Sequence, residues 1–121
     1  MNMNQSMNNP EAVVLEYIAG WKAGDRDQVL ACLHQDCVIR ESTGAQFTGH
    51  SGVVAWIDGW VRDGYSITKW EVRHIVAAAE SVAVEWEFSW ICGATHELLG
   101  ASVFRFREGL IVFSQEYRRE H

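Results

Sequence analysis

The sequence lacks the features that mark three large classes of protein. Ten Lys and Arg stand against sixteen Asp and Glu, and the formal net charge is −6. No basic cluster could follow a phosphate backbone, so we expect no nucleic-acid partner. No apolar run approaches the roughly 18 residues of a membrane-spanning helix, so we expect no membrane partner. The three cysteines have no CxxC spacing, which predicts reduced thiols in a cytoplasmic protein.

The common signatures of catalytic and cofactor sites are also missing. The segment from Gly49 to Gly52 reads GHSG and continues with Val53, so it does not match the GxSxG nucleophile motif. There is no glycine-rich phosphate loop and no HExxH motif. The five histidines include no pair at helical i, i+4 spacing. We therefore expect neither a metal ion nor an organic cofactor.

The sequence does contain enough apolar residues to form a sizeable core. The chain has 121 residues, of which 48% are hydrophobic, and this predicts one domain over residues 10–121. Residues 1–9 are polar and uncharged, and we interpret them as a flexible leader rather than a signal peptide.

Helix signals come first along the chain. Asn9 and Pro10 predict a helix start, apolar residues at helical spacing follow, and Gly24 predicts the end. Asp25 can cap a second, shorter helix that carries Leu33. A short strand is predicted over residues 37–42. A third helix is then predicted from Gly49 to about residue 64.

Beyond Ile67 the apolar residues alternate with a period of two, which predicts strands. The predicted strands cover residues 68–78, 82–91, 96–107 and 110–118, and Glu108-Gly109 is a hairpin turn. Helices at the front and antiparallel hairpins behind predict an α+β fold.

The faces of these strands predict a second subunit. If the hairpin closes at Gly93-Ala94, Glu85 lies opposite Ser102 and Glu87 opposite Gly100, so Phe104 falls on the face of the acids. Both faces of the sheet would then be partly apolar and need a cover. Helices cover one face, and we expect a homodimer through the sheet to cover the other.

Acidic side chains among aromatic residues are the candidate catalytic groups. An apolar setting raises the pKa of a carboxyl group and suits it to general acid–base catalysis, and a phenol such as Tyr17 can stabilise an oxyanion. The alternative is that each acid pairs with an arginine on a neighbouring strand. The candidate acids are Glu41, Glu85, Glu87 and Glu116.

Three segments resemble the nuclear transport factor 2-like superfamily and its SnoaL-like domains. They are YIAGWKAGD over residues 17–25, VFRFREG over residues 103–109, and Glu116-Tyr117. The resemblance covers residues 10–118. It implies a cone in which a strongly bent, mostly antiparallel sheet wraps around N-terminal helices, as in a cystatin-like α+β barrel. It also implies a small-molecule pocket at the open end and a homodimer.

The ketosteroid isomerases of this superfamily imply particular roles. Their oxyanion tyrosine matches Tyr17, their catalytic base matches Glu41, and their second oxyanion acid matches Ser102, which cannot act as a carboxylic acid. In the limonene epoxide hydrolases the two catalytic acids match Glu85 and Glu116, whereas the catalytic arginine matches Ala83. The residues predicted to line the pocket are Trp21, Trp56, Trp60, Glu87, Ser102 and Phe104.

Together these patterns favour an enzyme that uses acid–base catalysis without a cofactor. Its substrate is expected to be small and apolar or cyclic, as for an isomerase, cyclase or hydrolase. The alternative is a non-catalytic ligand-binding or dimerisation module of the same fold, because one fold hosts many functions.

Overall fold

The structure is a computed structural model, and it describes residues 9–119. Of the predicted leader only Asn9 belongs to this range, and the rest of the leader lies outside the described residues. Over residues 9–119, no helix combines the length and apolar character needed to cross a membrane.

Two capped helices begin the fold. Helix α1 (Pro10–Ala23) starts where the Asn9 side chain accepts a hydrogen bond from the Ala12 N–H at 3.3 Å. It ends at Gly24, whose φ of 68° is a left-handed conformation that favours glycine. Helix α2 (Arg26–Ala31) is capped by Asp25, which accepts from the Gln28 N–H at 3.1 Å. Both helix starts are therefore where the capping residues predict them.

The next segment differs from the prediction. Strand β1 (Leu33–Arg40) begins at Leu33, a residue that the helical spacing predicts to be in the second helix. The helix stops earlier because Leu33 pairs with Ile111 of the last strand, and this tertiary contact outweighs the helical spacing. A short strand β2 (Gln46–Thr48), absent from the prediction, then pairs antiparallel with β1. Helix α3 (Gly49–Arg62) follows.

The remaining chain forms four long strands. They are β3 (Ser66–Ala78), β4 (Ser81–Cys92), β5 (Ala94–Arg107) and β6 (Leu110–Arg118). The sheet order is β2-β1-β6-β5-β4-β3, with β1 and β6 parallel and all other neighbours antiparallel. The predicted α+β class with N-terminal helices on a curved, mostly antiparallel sheet is confirmed, and the sheet does not close into a barrel.

The register of β4 against β5 corrects the prediction by one residue. Ala94 pairs with Cys92, so the turn contains only Gly93, with a φ of 77°. Glu85 therefore lies opposite Ala101, and Ser102 lies opposite Val84. A one-residue shift moves every side chain of a strand to the other face. Ser102 and Phe104 consequently share the inner face with Trp86, rather than the face of the acids.

The core lies between this inner face and helix α1. Val14 and Tyr17 of α1 are buried, as are Val84 of β4 and Phe104 of β5. The inner face is thus covered by the N-terminal helices, while the outer face carries the acids of β4. This arrangement leaves one end of the inner face available for a site.

Candidate functional site

A cavity of about 290 Å³ lies between the helices and the inner face of the sheet. Its wall is mostly aromatic, and its polar groups come from the chain after β1 and from β6. The lining residues are Trp21, Glu41, Ser42, Thr43, Trp56, Trp60, Tyr65, Ile67, Trp70, Trp86, Phe88, Trp90, Leu98, Glu116 and Arg118.

All six tryptophans of the chain line this one cavity. Trp56 and Trp60 are four residues apart on α3, so helical geometry places both on one face. Trp21 of α1 contacts both rings edge-to-face, with centroid distances of 4.6 Å and 6.2 Å. The helices thus supply three of the indoles.

The strands supply the other three. Trp86, Phe88 and Trp90 lie on the same face of β4, because side chains two positions apart on a strand point the same way. Trp70 of β3 pairs with Phe88, and their ring centroids are 5.3 Å apart. Phe88 is also 6.1 Å from Trp60 of α3, which joins the sheet side of the wall to the helical side.

Glu41 and Glu116 meet at the polar end of the cavity. The parallel register of β1 and β6 sets Arg40 beside Gln115, so the residues that follow, Glu41 and Glu116, become neighbours. Burial and, to a smaller extent, the nearby charge of Glu41 together raise the pKa of Glu116 to about 7. The Ser42 N–H donates to Glu116 Oε1 at 3.4 Å and partly opposes this rise.

Burial also raises the pKa of Glu41. The Thr43 hydroxyl donates to Glu41 Oε1 at 3.4 Å, which stabilises the carboxylate and partly opposes that rise. The two acids are thus held by hydrogen bonds from the same short loop. Glu116 can therefore exchange a proton with a bound molecule near neutral pH, beside a second carboxyl group whose pKa is also raised.

Tyr17, Ser102 and Phe104 lie in the core beside the cavity instead of lining it. Tyr17 is 3% exposed and contacts the rings of Trp70 and Phe104, and its burial raises the pKa of the phenol. Ser102 accepts a hydrogen bond from Trp86 Nε1 at 3.0 Å. That hydroxyl therefore orients a cavity tryptophan.

Glu85 and Glu87 are not brought to the cavity. Both lie on the outer face of β4, where Glu85 Oε1 is 3.2 Å from His74 Nδ1. Glu87 forms ion pairs with Lys69 and Arg73 of β3. The pair of Glu87 with Arg73 is the cross-strand arginine pair of the alternative interpretation, whereas Glu85 pairs with a histidine instead. Of the predicted site residues, the cavity brings together Glu41 and Glu116 with three tryptophans, namely Trp21, Trp56 and Trp60.

Several cavity residues were not predicted. The alternation of Trp86, Phe88 and Trp90 is visible in the sequence, but only the register shows that this face turns inward. Trp70 and Arg118 carry no local signal that distinguishes them from core or surface residues. Over residues 9–119, no group of three or more His, Cys, Asp or Glu side chains could hold a metal ion.

A curved, unclosed sheet that holds an aromatic cavity against its N-terminal helices defines a class of α+β cone-fold proteins. The model of one family in this class, the SnoaL-like domain, matches residues 14–114. The chain belongs to the SnoaL-like domain family, which confirms the resemblance seen in the sequence. No protein of curated function matches the sequence.

Solved structures show the same fold at low sequence identity. An epoxide hydrolase of Mycobacterium tuberculosis, of the limonene epoxide hydrolase-like type, has a TM-score of 0.81 at 18% identity, with 91% of this chain and 82% of that chain covered. A putative polyketide cyclase from Xanthomonas campestris has a TM-score of 0.76 at 21% identity, with 96% and 93% covered. A ketosteroid isomerase-like protein from Catenulispora acidiphila, in complex with trimethylamine, has a TM-score of 0.74 at 18% identity, with 87% and 83% covered.

Proposed function

We propose that the protein is a cofactor-independent acid–base enzyme that acts on a small apolar or cyclic substrate in the aromatic cavity. The observation that carries the proposal is the Glu41–Glu116 pair at the polar end of that cavity, with the pKa of Glu116 raised to about 7. A group that titrates near the working pH is the most effective general acid or base.

The two carboxyl groups have complementary roles in this proposal. Glu41, as the carboxylate, removes a proton from a substrate carbon or from a water molecule. Glu116, in its neutral form, gives a proton to the substrate oxygen on which negative charge develops. The proton that Glu116 gives is replaced by the one that Glu41 has taken, so the pair returns to its starting state after each turnover.

The relatives support a small organic substrate without fixing its identity. The Mycobacterium tuberculosis protein is an epoxide hydrolase, and the Catenulispora acidiphila protein holds trimethylamine. Position 83 of this chain, which is Ala83, lacks the arginine expected of the limonene epoxide hydrolases. Tyr17 is buried in the core, so this proposal gives it a packing role rather than contact with substrate.

Substitution of both acids tests the proposal against a panel of enone, epoxide and polyketide-like substrates. We expect Glu116→Gln and Glu41→Gln each to lower kcat/KM by about 10²-fold or more. Glu85→Gln is the matched control, because it makes the same change on the outer face. No turnover by the wild type, or unchanged kcat/KM in both cavity variants, would overturn the proposal.

A non-catalytic binding module is the second candidate. The observation that favours it is that Ser102, at the position of the second isomerase acid, is already bonded to Trp86. Tryptophan fluorescence follows ligand binding directly, because every tryptophan lines the cavity. Saturable binding with no turnover across the panel would select the binding module.

We propose that the outer face of the sheet pairs with a second copy of the chain. The support is apolar and aromatic exposure on that face, where Leu99 is 38% exposed and Tyr117 is 59% exposed. Leu99 pairs with Glu87, and Tyr117 pairs with Ala101, which in turn pairs with Glu85, so both lie on the face of the outer acids.

We propose a cytoplasmic location on the basis of the thiols. Cys32, Cys37 and Cys92 are all free, and the first two are buried. Burial raises the pKa of both buried thiols, which keeps them protonated and unreactive. Oxidant-free labelling of the three thiols in protein taken directly from cells checks the reduced state.

A further inference from the structure

The cavity wall presents aromatic rings to a ligand, but few of the indole N–H groups can donate a hydrogen bond to it. The Nε1 atoms of Trp21 and Trp70 are sealed from solvent, and that of Trp21 lies beside the Tyr17 hydroxyl. The Nε1 of Trp86 is already bonded to Ser102. Half of the six indole N–H groups are therefore unavailable to a molecule in the cavity, which meets ring carbons instead.

The charge at the polar end of the cavity is the second observation. Within residues 9–119, Glu41 and Glu116 take part in no ion pair within 4.0 Å. Arg118 is the one cationic side chain among the described residues that line the cavity, so with both carboxyl groups ionised the lining carries a net charge of −1. A neutral ligand that filled the cavity would remove water from this charge and leave it uncompensated. A cation in the cavity would instead compensate it.

Aromatic faces and carboxylates favour the same kind of ligand. The π face of an aromatic ring carries a negative electrostatic potential, which is strongest for tryptophan and attracts a cation. An alkylated ammonium ion suits an apolar wall because its charge is spread over methyl groups that need no hydrogen bonds. A cavity of about 290 Å³ has room for such a head group together with a short chain.

We propose that the cavity binds an alkylated ammonium ion, held by the tryptophan rings and balanced by Glu116 and Glu41. This inference rests on the proposed function and specifies its substrate class, a small and largely apolar molecule that carries a tertiary or quaternary ammonium group. Binding is tightest when both carboxyl groups are ionised, whereas turnover uses the complexes in which Glu116 still holds its proton. Recognition occurs at ring faces on α1, α3, β3 and β4, with the carboxyl groups at the ends of β1 and β6.

The proposal requires a definite pH dependence. A bound cation favours the ionised form of Glu116, so binding releases a proton and the affinity rises as pH rises through about 7. The other titratable or charged groups around Glu116 are Glu41, the buried Tyr17 phenol and Arg118 at the cavity wall. Of these, Glu41 adds to the same dependence.

A pair of isosteric probes tests the proposal directly. Choline carries a trimethylammonium group, and 3,3-dimethylbutan-1-ol has the same shape without the charge. Titration of the whole chain, followed by tryptophan fluorescence and by calorimetry, gives the affinity of each probe at pH 6 and pH 8. We expect choline to bind at least tenfold more tightly than the alcohol at pH 8, and more weakly at pH 6.

Two variants and one control separate the contribution of the carboxyl group to choline binding from that of the tryptophan rings. Glu116→Gln is expected to weaken choline binding about tenfold or more and to remove most of its pH dependence. Trp60→Leu keeps the wall apolar, so it should weaken choline binding more than it weakens binding of the alcohol. Glu85→Gln should leave both affinities unchanged. Circular dichroism of each variant confirms that it is folded.

Equal affinity for both probes, or choline affinity that falls with rising pH, would overturn the inference. Preferential binding of a neutral planar aromatic probe such as 2-naphthol would do the same. Glu116-dependent turnover of a neutral substrate without choline binding would refute this inference and leave the proposed function intact. Choline binding with no turnover on any substrate, including ammonium-bearing esters and epoxides, would refute the enzyme and leave the ligand class intact.

Discussion

The backbone N–H of Ser42 donates to Glu116 Oε1 over 3.4 Å, and this contact joins the loop after β1 to the last strand. It exists because β1 and β6 pair in parallel, with Arg40 beside Gln115. The same pairing places Glu41 next to Glu116. The properties of the polar end of the cavity therefore depend on one strand pairing.

If Glu116 is the general acid, kcat/KM should decrease at high pH. If neutral Glu116 donates the proton, kcat/KM falls about tenfold for each unit of pH above about 7, because the neutral form is lost there. A kcat/KM profile from pH 5 to 9 measures this decrease. Glu85→Gln should keep the profile. A wild-type rate that is flat between pH 7 and 9 would remove Glu116 from the role of acid.

Glu116 should also make stability depend on pH. The pKa is raised from 4.5 when unfolded to about 7 when folded, so between these values the folded state holds a proton that the unfolded state has lost. The free energy of unfolding therefore falls as pH rises through this window, by up to about 3 kcal/mol. Urea unfolding of wild type and Glu116→Gln from pH 4 to 8 isolates the effect.

The difference between wild type and Glu116→Gln is the informative quantity, because every other titrating group is common to both. Wild type should lose stability relative to the variant as pH rises. A difference that stays constant over this range would show that Glu116 titrates normally in the folded protein.

Gly100→Ala should destabilise the fold by about 1–3 kcal/mol. A Cβ at position 100 would lie 2.6 Å from Cη2 of Trp86 and against the carbonyl oxygen of Tyr117, which is backbone and cannot move easily. Gly59→Ala on α3 is the control, since its Cβ would meet only the flexible end of Arg62 at 3.4 Å. That control should be neutral or slightly stabilising. Equal stability of the two variants by urea unfolding would contradict the packing of Trp86 across β5.

Removal of the N-cap of α2 should lower the free energy of unfolding by about 1 kcal/mol. Asp25→Ala removes the oxygen that accepts from the Gln28 N–H at 3.1 Å. Asp27→Ala is the matched control, because Asp27 is in the first turn of the same helix and does not cap it. Thermal unfolding of both variants measures the difference, and a larger loss for Asp27→Ala would show that the cap is not the source of stability.

The proposed dimer can be broken from the outer face. Sedimentation of wild type at micromolar concentration should give twice the chain mass, and Tyr117→Arg should shift it toward the single-chain mass. Leu15→Arg is the control, because Leu15 is also exposed, at 43%, but on α1. A wild-type monomer under these conditions would contradict the proposed pairing.

Local chemistry in the sequence determined much of the fold. The caps at Asn9 and Asp25 and the terminator Gly24 set where α1 and α2 begin and α1 ends. The change from helical spacing to alternation after residue 67 predicts the long strands to within a few residues. These signals are local because a cap or an alternating face depends on residues only a few positions apart.

Only the tertiary structure decided the composition of the site. Whether Ser102 faces inward depends on a turn of one residue at Gly93, and a two-residue turn would have reversed the face. The convergence of Trp21, Trp60 and Trp86 depends on packing between a helix pair and the sheet. Glu41 and Glu116 are both visible in the sequence, but their meeting requires the parallel pairing of the first and last strands. Pairing between segments so distant in the chain leaves no local signal. The sequence therefore identifies both acids as candidates, but only the tertiary structure shows that they are neighbours.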